Sequence, residues 1–171
     1  LHIRVLDEHD AWMYQELRLT ALQNSPEAFG STYEREVQFT MEMVADRIKP
    51  KKDTFVLGAF DDRGTLVGSV SFVRESSLKT AHKGNVYGMY VALNQQGQGL
   101  GKRLMVELIR RAKECDGVEQ INLAVMSHNE AAKKLYVSLG FKVYGVEHHA
   151  LKYNGTYYDE DLMVRRLNEE A

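Results

Sequence analysis

The chain has 171 residues, enough for one domain with a genuine core, and its 44% hydrophobic and 27% charged residues are those of an ordinary globular protein. A formal charge of −2 lacks the basic footprint of a nucleic-acid partner, and no apolar run of about 18 residues predicts a membrane span. One cysteine, Cys115, excludes an internal disulfide framework and suits a reducing compartment, the cytoplasm. The chain opens at Leu1 rather than Met, as a trimmed start would, and no secretory leader is read. Its first element is a short strand, IRVL (3–6). Residues 10–23 follow as a helix with Trp12, Leu19 and Leu22 on one face and Asp10 as N-cap. Residues 25–37 read as a loop, and 41–48 as a second short helix closed by Pro50.

The period then changes. Residues 54–60 and 65–73 are strands rich in β-branched and aromatic side chains, joined by the turn signal DDRG, and 84–91 is a third. Over 99–115, Leu100, Leu104, Met105, Leu108, Ile109 and Ala112 form a helical stripe. Residues 120–125 alternate Ile121, Leu123 and Val125 on one face of a strand. A helix over 129–140 places Ala132, Leu135, Tyr136 and Leu139 together and stops at Gly140. The remainder reads as a hairpin turning at Asn154-Gly155, with the adjacent His148 and His149 on opposite faces of a strand. This order predicts one α/β domain of the α+β type over 1–171. Its sheet is mixed, mostly antiparallel and of about seven strands, with helices on both faces and a parallel crossover from 84 to 125.

QQGQGLGKRL (95–104) links the third central strand to the basic helix. A helix N-terminus offers unpaired N–H groups and a positive dipole end, and glycines let an anion reach the backbone. Gly97, Gly99 and Gly101 give that access. Lys102 and Arg103 stand where acids are preferred, a conflict that a bound anion resolves. Across 99–113 five basic residues face one acid, Glu107. The nucleoside-triphosphate loop fails on spacing, because Gln96 stands five places before Gly101 and Arg103 follows Lys102. A dinucleotide fingerprint fails because the third glycine falls one place early. The bland alternative is a tight turn and nothing more.

With this turn placed, the chain resembles the GNAT superfamily of acetyl-CoA-dependent N-acetyltransferases. Gln96-Gly97-Gln98-Gly99-Leu100-Gly101 matches its [QR]-x-x-G-x-[GA] signature, and Asn129, Ala132, Leu135-Tyr136 and Gly140-Phe141 match a second family element. The resemblance implies that the backbone around Gln96–Lys102 cradles the pyrophosphate of coenzyme A. It further implies that Met89-Tyr90-Val91 pairs its main chain with the pantetheine arm, that Asn129 steadies that arm, and that Tyr136 sits near the thioester sulfur. A homodimer is common in the family.

Acetyl transfer to an amine needs a neutral nucleophile, a polarised carbonyl and a stabilised leaving thiolate. The end of the 84–91 strand, at Tyr90 or Val91, is the candidate oxyanion donor, and Tyr136 the candidate acid. Some family members place a glutamate on the strand before the glycine turn; none stands between Lys83 and Val91 here. Glu34, Glu36, His82, His148 and His149 are alternatives for the base, and none is singled out. Cys115, flanked by Glu114 and Asp116, is disfavoured as a thiolate. No metal-ligand spacing appears. The expected activity is transfer of an acetyl group from acetyl-CoA to a primary amine, on a small molecule or a peptide N-terminus, by direct attack in a ternary complex. The alternative is a non-catalytic acyl-CoA sensor. A weakly acidic chain favours small or cationic acceptors over anionic ones.

Overall fold

A computed structural model describes residues 1–169. Its elements are β1 (His2–Val5), α1 (Ala11–Asn24), α2 (Tyr33–Glu36), α3 (Met41–Ile48), β2 (Thr54–Phe60), β3 (Leu66–Arg74), β4 (Lys83–Val91), α4 (Leu100–Glu114), β5 (Gln120–Met126), α5 (Glu130–Ser138), β6 (Lys142–Tyr153) and β7 (Thr156–Arg166). The seven strands follow the order β1-β2-β3-β4-β5-β7-β6, mostly antiparallel, with β4 and β5 parallel. This is the mixed sheet expected from the chain order. Contacts gather into two compact units, Leu1–Val73 with Tyr87–Leu108, and Arg74–Val86 with Ile109 onward.

In the first unit β1 lies antiparallel to β2, from His2 opposite Phe60 to Val5 opposite Leu57. Leu6, Tyr14, Leu17, Ala21, Val44, Ile48, Val56 and Tyr90 form its apolar core. The predicted face of α1 is corrected: Trp12 is 70% exposed, and Ala11, Tyr14, Gln15, Leu17, Ala21 and Leu22 are the buried set. Tyr14 and Gln15 have polar tips, so a reading by apolarity rotates the face away from them. Asp10 precedes α1 without capping it, because its carboxylate takes two bonds from Arg4, at 2.7 and 2.8 Å, and one from the Asp7 amide. The predicted loop at 25–37 contains a 3-10 turn, Pro26–Ala28, and the helical turn α2, which Thr32 caps by accepting from the Arg35 amide. Thr40 caps α3 in the same way through the Met43 amide. The α4 stripe is buried as predicted, and a Cβ on Gly68 of β3 would lie 3.2 Å from the Leu104 side chain. Glycine there lets α4 sit close on the strand.

In the second unit, Lys83–Asn85 run beside Gln120–Asn122, and β5 pairs with β7 from Gln120 opposite Arg166 to Met126 opposite Glu160. The β6–β7 hairpin turns through Asn154 (φ 49°) and Gly155 (φ 78°), the left-handed pair that a two-residue turn requires. His148 and His149 depart from simple alternation. The register slips between Glu147 and Leu151, and His149 has φ 53°. No helix among the described residues is long and apolar enough to cross a membrane.

Candidate active site

The turn after β4 is fixed before α4 begins. A 3-10 turn spans Leu93–Gln95, and the Gln96 side chain donates to the Val91 carbonyl at 2.9 Å, tying the loop to the strand end. Gly97 (φ 79°) and Gly99 (φ 77°) hold left-handed backbone, which side chains with a Cβ resist. A Cβ at either position would meet nothing within 4 Å, so the space above them is open. Gly101 differs: it lies in the first turn of α4, outside the positive-φ set. The first bond into the helix runs from the Arg103 amide to the Gly99 carbonyl, at 3.1 Å. The amides of Gly97 to Lys102 have no acceptor among the described residues. Those amides, the helix dipole and the exposed Lys102 and Arg103 make a cradle suited to a diphosphate. Leu100 is buried and offers main chain only, while Gln98 is exposed.

Upstream, Gly88 has φ 62° inside β4, a kink that reading 84–91 as a regular strand missed. A glycine within a run of larger strand formers is the available signal for it. Met89 is half-buried. The Tyr90 ring is buried, and its hydroxyl accepts from Asn24 Nδ2 at 3.2 Å. Its side chain therefore belongs to the core, leaving only the Tyr90 main chain for a ligand.

Glu36, one of the candidate bases, is 1% exposed. Arg18 grips it with Nε and Nη2 at 2.9 and 3.0 Å, and Arg47 Nη1 adds a contact at 2.8 Å. Burial pushes its pKa up, but hydrogen bonds from Arg18, Ser31 and Arg47 outweigh this and bring it to about 2. A carboxylate so acidic cannot accept a proton efficiently near neutrality. Gln15 Nε2 donates to the Glu36 carbonyl at 2.7 Å, while its buried Oε1 has no partner. Glu34 is exposed.

In the second unit, Asn129 caps α5 by accepting from the Ala132 amide at 3.2 Å. Tyr136 is buried, lies edge-on to Phe141 with ring centroids 5.8 Å apart, and is pushed by burial to about 12. Burial and the Glu147 charge raise the pKa of Glu160. His148 Nδ1 lies 3.1 Å from Asp159, which also accepts from the His149 amide, and the His149 ring stacks on Tyr157. His82 is half-buried, and its carbonyl accepts from the Glu119 amide. Cys115 is half-buried, with Sγ 3.4 Å from the Arg111 carbonyl. Among the described residues no group of three or more His, Cys, Asp or Glu could hold a metal ion.

A mixed sheet whose glycine turn feeds a basic helix defines an α/β protein with unpartnered main-chain amides at a helix start. More particularly, residues 14–141 match the acetyltransferase (GNAT) family, and the chain belongs to it. The L-amino acid N-acyltransferase MnaT of Escherichia coli K12 is 29% identical over 111 residues, 65% of this chain and 64% of that protein, so the match spans less than two thirds of that relative. The yncA protein of Salmonella typhimurium, solved with its cofactor acetyl-CoA, is 26% identical with a TM-score of 0.78, covering 99% of this chain and 95% of that one. A GNAT acetyltransferase from Streptococcus pneumoniae superposes with a TM-score of 0.85 over 96% of this chain and 98% of its own at 23% identity, a likeness of fold.

Proposed function

We propose that this chain is an N-acetyltransferase that moves an acetyl group from acetyl-CoA to the primary amine of a small acceptor by direct attack in a ternary complex. The observation that supports it best is the row of unpartnered amides from Gly97 to Lys102 at the start of a basic helix. In this reading the main chain of Gln96, Gly97, Gln98, Gly99, Leu100, Gly101 and Lys102 holds the diphosphate. Met89, Tyr90 and Val91 offer main chain to the pantetheine arm, Asn129 steadies it, and an amide of Tyr90 or Val91 donates to the oxygen on which negative charge grows.

Tyr136 assists the leaving sulfur. With its pKa at about 12 it stays protonated at neutral pH. A thiol ionises near 8.5, so full proton transfer from Tyr136 would be uphill by roughly 3.5 units, about 5 kcal/mol. Its role is therefore to donate a hydrogen bond to the thiolate. The lone, half-buried Cys115 supports a reducing compartment, the cytoplasm. Exposed Val143, Tyr144 and Val146 on edge strand β6 support a homodimer through that strand, which light scattering would test.

The second reading, an acyl-CoA sensor without turnover, is favoured by the clamped state of Glu36, which removes one candidate base. A thiol-release assay with acetyl-CoA over a panel of primary amines separates the two. Thiol release that needs both amine and Tyr136 supports the enzyme; coenzyme A binding without release on any amine supports the sensor.

A further inference from the structure

The Arg18–Glu36–Arg47 cluster leaves positive charge over. Glu36 neutralises one of its two guanidiniums, so the trio keeps a net charge of about +1 at neutral pH. Lys49, one residue past α3 and without an ion-pair partner among the described residues, adds another cation. Beside Arg47 and Lys49 the first unit has a cavity of about 220 Å³, whose wall also includes Tyr14, Thr54, Ser71 and Tyr87. No Asp or Glu lines it. Arg47 is clamped by Glu36 through Nη1 alone, which leaves its other N–H groups unspent. The guanidinium of Arg18 stands one residue along β4 from Tyr87: a Cβ built on Gly88 would lie 3.4 Å from Nη1, the terminal nitrogen not bonded to Glu36.

The same strand joins this cavity to the proposed site of transfer. Tyr87 and Tyr90 are three residues apart, roughly 10 Å of strand. One small molecule can span that length with an anionic group at the cavity and an amine near the strand end. The volume lies below the roughly 300–1,000 Å³ of pockets for drug-sized ligands, which suits the end of a small molecule and not a protein loop.

We propose that this cationic cavity binds the carboxylate of the acceptor, so that the acceptor is a small amino-carboxylate and not a plain amine or a peptide N-terminus. The inference rests on the transfer reading above and reverses the expectation, drawn from net charge, that anionic acceptors are disfavoured. Arg47 and Lys49 are the specificity-determining residues, and Glu36 is the positioning residue that holds both arginines.

The test reads binding apart from turnover. Calorimetry titrates the protein, saturated with coenzyme A, with N-acetyl-L-leucine, N-acetyl-L-methionine and 6-acetamidohexanoate, and with the carboxamide of each. At least one acid is expected to bind tenfold or more tighter than its carboxamide, of the order of one charge-assisted bond. Arg47→Gln should cut that preference to less than about threefold, as fits removal of the bond itself. Lys49→Gln should lower it by about threefold, and it serves where a melting curve shows that Arg47→Gln does not fold. Carboxamides that bind as well as the acids, acids that do not bind at all, or a preference that survives both variants would overturn the proposal. Thiol release that runs as fast on leucinamide as on leucine, and on each other amide as on its acid, would also overturn it, while leaving the transfer reading intact. Acid-selective binding with no thiol release on any amine would keep the cavity and overturn the transfer reading instead.

Discussion

Glu36→Gln removes one charge from the first unit and almost nothing of its shape. The folded pKa of about 2 against 4.5 for a free glutamate is a shift of about 2.5 units, or about 3 kcal/mol of stability at neutral pH. Leaving two guanidiniums without their counter-charge gives a similar figure, since breaking a buried ion pair costs about 3–5 kcal/mol. For a chain of this length the melting temperature should fall by about 6–12 °C. The sign with pH follows from the depressed value. The stabilisation is complete above the unfolded pKa of 4.5 and is lost as pH falls from there toward 2. Glutamine mimics the protonated acid, so the difference between wild type and variant should shrink from about 3 kcal/mol at pH 7 to about half of that at pH 3. Urea unfolding of both proteins at several pH values measures it. A difference below about 1 kcal/mol at pH 7, or one that stays flat with pH, would refute the reasoning.

Gly99→Val forces a β-branched residue into left-handed backbone and fills the open space above the turn, so coenzyme A binding by calorimetry should weaken by roughly tenfold or more. Gly101→Val, inside α4, should weaken it by less, because no special backbone conformation is lost there. Tyr136→Phe should lower kcat by roughly 100-fold, the scale of one lost donor to developing charge, with the coenzyme A dissociation constant changed less than about twofold.

The parts of the molecule most legible in the sequence are those in which one periodicity acts alone. The α4 stripe is buried at all six of its predicted positions, and the Asn154-Gly155 turn sits where its left-handed residues require. The glycine turn was legible because strained backbone restricts residue choice, and Gly97 and Gly99 have that backbone. The α1 face was harder, because Tyr14 and Gln15 are buried through tertiary partners that no local pattern reveals. Residues 25–37 read as loop because Ser25, Pro26, Gly30, Ser31 and Thr32 fall among them as turn and breaker residues. Thr32 as a cap, with Glu36 held by two arginines, turns the end of that segment into α2. Gly88 was visible as a letter but not as a kink, since glycine in a strand has several uses.

Glu36 shows why the base could not be read from residue types. In the sequence it is one carboxylate in a segment that also holds Glu27 and Glu34, and only the fold brings Arg18 from α1 and Arg47 from α3 onto it. Those two contacts, together with the Ser31 hydrogen bond, reverse the sign that burial alone would give, and so move Glu36 from candidate base to counter-ion. The same contacts concentrate cations beside β4 in a chain whose formal charge is −2. Whole-chain charge sets a weak, screened field, whereas an acceptor held within hydrogen-bond range responds to the few groups that line its cavity. Under the proposal above, acceptor preference follows from Arg47 and Lys49 in the cavity wall rather than from the sum over all 171 residues.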